Sequence, residues 1–95
     1  YLPYAITHNR PLYYDDWLRP SVAELKAGNF EKADSLLQPF LKDPDVKKAA
    51  KAAYNLSVVY ELEGDIDAAI GAAQASLAKY NNRFATAILA DLKTE

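Results

Sequence analysis

From about residue 15 onward, apolar side chains recur at intervals of three and four, the spacing of helices that bury one face. Five helices are predicted. The first starts near Asp16, a good N-cap, and ends at Gly28, with Trp17, Leu18, Val22 and Leu25 inward. Pro20 falls in its first turn or moves its start to about residue 20. Asn29 can cap the second helix, whose buried set is Phe30, Ala33, Leu36, Leu37, Phe40 and Leu41; Pro39 should kink it or end it early. Asp43 or Asp45 can cap the third, which runs to about Glu63 with Ala50, Ala53, Tyr54, Leu56, Val59 and Tyr60 on its stripe. After a tight turn at Gly64-Asp65, the fourth spans about Ile66 to Lys79, with Ala69, Ile70, Ala73 and Leu77 inward. Asn81-Asn82 stops it and caps a fifth, about 83–93, carrying Ala85, Ile88, Leu89 and Leu92. The expected fold class is all-α, an antiparallel array of helix hairpins over residues 15–95.

Residues 1–14 lack this pattern. Tyr1, Tyr4, Tyr13 and Tyr14 stand there beside Pro3 and Pro11, with Trp17 and Pro20 just beyond. Proline discourages a helix, so the segment is expected to be an extended arm. Its aromatics either pack on the helical body or form a contact surface for another domain or chain.

Composition narrows the class. A chain of 95 residues, 51% hydrophobic and 25% charged, makes one small folded domain and excludes disorder. No apolar run approaches the roughly 20 residues of a membrane span, so no transmembrane segment is expected. The net charge of −2, and lysines without interleaved aromatics, argue against nucleic acid. Cysteine is absent, which removes thiolate chemistry, and the single histidine, His8, has no acidic neighbour in the arm. Methionine is also absent, so a processed or excised chain is expected.

Candidate chemistry is sparse. The three glycines cannot form a phosphate-cradling loop. Glu61, Glu63, Asp65 and Asp67 alternate as calcium ligands can, but they straddle a helix end and a helix start and lack the full loop. Asp65 and Asp67 are better read as complementing the positive end of the fourth helix, with Glu61 and Glu63 solvated. Lys42, Lys47, Lys48 and Lys51 form either a solvated face or a contact for an acidic peptide. No enzyme activity, metal or cofactor is expected.

An internal repeat is present. Gly28-Asn29-Phe30 with Ala33, and Gly64-Asp65-Ile66 with Ala69, match by class at positions 36 residues apart. Here the chain resembles the tetratricopeptide-repeat family. Between Ala50 and Asn82, Leu56, Tyr60, Gly64-Asp65 and Ala69 agree with the family pattern. Ala53, Ser57, Ala73, Ser76 and Asn81 depart from it. The first unit, about 15–42, matches at Trp17, Gly28, Phe30 and Ala33, with Pro20 in place of the usual Leu; the second is about 50–82 and a terminal helix about 83–93. The residues around Arg19, Lys51-Ala-Ala-Tyr-Asn-Leu and Glu61-Leu-Glu-Gly-Asp-Ile-Asp also resemble the C-terminal section of exported bacterial lipoproteins of uncharacterised function. That resemblance implies a periplasmic or membrane-anchored exported protein, with this chain one section of it.

The repeat resemblance implies a concave face lined by the first helix of each unit. Its lining would be Lys51, Tyr54, Asn55, Val58 and Glu61 in the second unit, and Leu18, Arg19 and Val22 in the first. Asn55 matches the asparagine that, in some family members, binds a peptide main chain; the further lysines and arginines of that clamp are not evident. The expected function is a non-enzymatic interaction module for a peptide or protein segment. The alternative is a structural domain of a larger exported protein, packing on another domain or forming a homodimer through Tyr1, Tyr4, Tyr13 and Tyr14.

Overall fold

Two prolines and two glycines set the limits of the helices in the computed structural model, which describes residues 12–93. The arm residues Tyr1, Pro3, Tyr4, His8 and Pro11 lie outside the described residues. Pro20 has no N–H to give the Asp16 carbonyl. The N–H of Arg19 reaches it one residue early, so Asp16–Leu18 is a 3-10 turn and α1 proper is Arg19–Lys26. The expected helix start at Asp16 is therefore a tighter coil. Pro39 acts likewise at the other end of the first hairpin: α2, Phe30–Leu37, passes into a 3-10 turn over Gln38–Lys42.

α3 is Val46–Glu63 and begins on Asp45, whose carboxylate accepts the N–H of Lys47. α4 is Ile66–Lys79, with the Asp65 carboxylate accepting from the N–H of Ala68. α5 is Arg83–Lys93, and the side-chain oxygen of Asn82 accepts the N–H of Ala85, 2.9 Å away. The first two hairpin turns are alike. Gly28 and Gly64 have φ of 87° and 86°, where a side chain would be strained. The N–H of the following residue reaches back five positions in each, Asn29 to Glu24 and Asp65 to Tyr60. No strand occurs among the described residues.

Each helix packs on the next in chain order, and the 3-10 turn after α2 also packs on α3. The α3–α4 pair is antiparallel: Ser76 Oγ, near the end of α4, donates to the carbonyl of Ala50, near the start of α3, at 2.7 Å. Ala49, Ala50, Ala52, Ala53, Ala69 and Ala73 are all buried, so the two axes approach closely. α3 has neighbours on several sides, and residues 52–59 are all buried.

This central position corrects several expectations. Glu61, expected in solvent, is 1% exposed, because it continues the inward side of α3 below Ser57 and Val58. Every buried side-chain polar atom among the described residues has a hydrogen-bond partner, as burial demands. Leu36, expected inside, is 39% exposed, and Phe30, Phe40, Leu41 and Tyr60 are only half-buried. α2 is covered by α1 and α3, which leaves an outer face open. No helix among the described residues is long and apolar enough to cross a membrane.

Candidate functional site

Residues 12–15 run without regular structure into the first 3-10 turn, and they lie against α3 and the start of α5. The contact is made to the main chain of Tyr13. Its N–H donates to Asn55 Oδ1 at 3.1 Å, and Asn55 Nδ2 donates to its carbonyl oxygen, also at 3.1 Å. One side-chain amide thus satisfies both backbone groups of a single residue. Asn55 is 1% exposed and is held on the rigid, buried part of α3.

The Tyr13 ring sits edge-on to Tyr54, with centroids 5.5 Å apart, and tilted over Phe84 at 4.7 Å. Tyr54 and Phe84 themselves meet at 5.5 Å. The phenol donates to Asn82 Oδ1 at 3.2 Å, while Asn82 Nδ2 donates to Ser76 Oγ and to the Tyr80 carbonyl. Burial pushes the Tyr13 phenol above its ordinary pKa; Lys51 opposes this and Asp15 reinforces it. The phenol therefore keeps its proton and remains a donor.

Two residues on, Asp15 Oδ2 is 2.8 Å from Lys51 Nζ, and the same ammonium lies 5.5 Å from the Tyr13 ring centroid. Asp15 has φ −54° and ψ 151°, in the polyproline II region. Tyr13 and Asp15 face the helices through these contacts, while Tyr14 between them is 49% exposed with the Lys26 ammonium over its ring.

Magnitudes show which contact decides. The two main-chain bonds, the phenol bond and the part-exposed ion pair are worth about 1 kcal/mol each. Ordering four residues costs roughly 4–8 kcal/mol. The polar contacts only offset the low end of that cost, so the ring held between Tyr54 and Phe84, worth about 2–3 kcal/mol, determines whether the segment stays seated.

Of the expected lining, Lys51, Tyr54 and Asn55 meet at this seat. Val58 and Glu61 lie farther along α3, at 2% and 1% exposure, as wall rather than open lining. Leu18 and Val22 are buried too. Arg19 points to solvent beside Asp16, its Nε 3.6 Å from the carboxylate. The expected open groove is filled by the chain itself. Tyr13, Asp15, Asn82 and Phe84 complete the site and were not among the expected lining. Asn82 was legible only as a helix cap. A separate depression at the glycine turns, lined by Gly28, Asn29, Phe30, Glu31, Lys32 and Glu63, is open to solvent and has no buried polar group.

A family model described as "Domain of unknown function (DUF6340)" matches residues 21–94. The match takes in Lys51, Tyr54, Asn55, Asn82 and Phe84, and begins after Tyr13 and Asp15. No curated protein and no solved structure matches the chain.

Proposed function

The chain belongs to the DUF6340 family, a domain of unknown function, and on that premise we propose that it is a non-enzymatic interaction module whose α3–α5 face docks an extended segment of polypeptide. The observation that carries this reading is the pair of hydrogen bonds between the Asn55 amide and the main chain of Tyr13. A side-chain amide that donates to a carbonyl and accepts from the N–H of the same residue recognises backbone, whatever side chain follows. A buried amide needs such partners to avoid the cost of unpaired polar atoms, so the face is built to hold extended chain. The resemblance to tetratricopeptide repeats points the same way.

A purely structural role, with the aromatic arm holding a second domain or a second copy, has less support. Tyr13 uses its ring inside its own chain, and Tyr14 is the arm tyrosine left exposed among the described residues.

The test begins by emptying the seat in the full chain with Tyr13→Ala and Asp15→Ala. A displayed library of random peptides is then selected against this variant. The reading expects binders whose affinity falls at least roughly tenfold on adding Asn55→Leu, the change expected when a buried acceptor and donor are both removed. Binders indifferent to Asn55, or none at all, would refute it.

A further inference from the structure

We infer that this face selects a tyrosine followed two residues later by a carboxylate, and that a partner protein presenting such a segment displaces the resident Tyr13–Asp15. The inference rests on the docking reading and adds the chemistry of the partner. Three independent contacts define it. The ring fits between Tyr54 and Phe84, which any aromatic could do, but its phenol ends 3.2 Å from Asn82 Oδ1, an acceptor held in place by its own cap bond to Ala85. That acceptor favours tyrosine over phenylalanine. The Lys51 ammonium reaches both the ring and the carboxylate at the second position, which favours Asp or Glu and disfavours Lys or Arg. The residue between is the least constrained of the three: Tyr14 is 49% exposed and meets the Lys26 ammonium over its ring.

The resident copy is tethered. It leads directly into the 3-10 turn, where the Asp15 carbonyl accepts from the N–H groups of Leu18 and Arg19. Tethering gives the resident segment a local concentration in the millimolar range, so a partner must exceed it in affinity or in number of contacts. The resident segment therefore sets a threshold that excludes weak ligands.

The experiment uses a fluorescein-labelled peptide, Gly-Leu-Tyr-Ala-Asp-Gly, and the full chain carrying Tyr13→Ala and Asp15→Ala, read by anisotropy. The peptide should bind this variant at least roughly tenfold more tightly than the unsubstituted chain. Phenylalanine at the tyrosine position should weaken it about fivefold, and N-methylation of the tyrosine, which removes the proton given to Asn55, should do at least as much. Lysine at the acidic position should weaken it about tenfold, and adding Lys51→Glu should reverse that preference. If the double variant loses helical circular dichroism, Tyr13→Ala alone, which removes the ring that keeps the resident segment seated, carries the same comparison. Equal binding of all the peptides, or no binding by a folded variant, would overturn the inference. Library binders that need Asn55 but lack the tyrosine–acid spacing would also overturn it while leaving the docking reading intact; absence of any Asn55-dependent binder removes both. A dimer of the unsubstituted chain abolished by Tyr13→Ala would make the occupant a second copy, and the partner assignment would fall.

Discussion

Asn82 uses one oxygen for two elements: the atom that accepts the Ala85 N–H and starts α5 also accepts the phenol of Tyr13. The start of α5 and the seating of Tyr13 are thereby coupled. Asn82→Ala should cost about 2–3 kcal/mol, because the cap, the phenol bond and the bonds that Nδ2 gives to Ser76 and Tyr80 are all lost. Tyr13→Phe alone should cost about 1 kcal/mol, and close to nothing in the Asn82→Ala background. A double-mutant cycle by urea denaturation reads the coupling; additive losses would separate the two roles.

Alkaline pH should release the segment. The Tyr13 phenol is raised by burial and by Asp15, against Lys51. That of Tyr60 is raised first by burial, then by Asp34, Glu63 and Asp65, with a bond to Gln38 opposing. A group whose folded pKa is raised gives stability that is fully present below its unfolded value and is lost as pH rises through the folded one. Stability should hold to about pH 10 and fall above it. Tyr13→Phe and Tyr60→Phe should each flatten that fall, and unfolding curves from pH 8 upward decide the matter; an unchanged slope in the double variant would contradict it.

The three glycines should respond in opposite directions to alanine. At Gly28 and Gly64 a Cβ meets nothing within 4 Å, but both have positive φ, so the substitution should cost about 1–2 kcal/mol through backbone strain alone. Gly71 lies within α4 with equally open surroundings, and Gly71→Ala should stabilise by about 0.5–1 kcal/mol. Thermal melts of the three variants give the comparison; a lower Tm for Gly71→Ala would be the adverse result.

Ser76→Ala should destabilise by about 1–2 kcal/mol, because a buried hydroxyl that donates to Ala50 and accepts from Asn82 is removed. The expected fall in Tm is at least roughly 4 °C. No change would mean that the bond from Ser76 to Ala50 adds nothing to the apolar packing of α3 on α4.

Most limits of the helices were readable because their causes are local; Asn29, expected to cap α2, instead turns its amide back to Glu24, and Asp16 caps nothing. Asp45, Asp65 and Asn82 cap where their residue types suggest, Gly64 turns the chain, and Pro39 shortens α2. The burial of α3 was only half readable. Its apolar stripe marks one face, whereas the alanines on its other sides carry too little hydrophobic contrast to reveal neighbours there, so Glu61 passed for a solvated residue. Tyr60 is expected on the buried stripe of the third helix and instead lies half-buried beside Asp34 and Glu63. The seat itself left almost no local trace. Lys51, Tyr54 and Asn55 fall on one flank of a helix, but Tyr13 meets Asn55 across 42 positions and Asn82 across 69, and no periodicity encodes such a meeting.

Those separations carry a consequence for the order of assembly. The α3–α4 hairpin closes across a two-residue turn at Gly64-Asp65, whereas the Tyr13 contacts must close loops of 42 and 69 positions. Loop closure is slower and costs more entropy as the span grows. On that ground the helices are expected to come together first and residues 12–15 to dock last, so Tyr13→Ala should speed unfolding while leaving the folding rate almost unchanged.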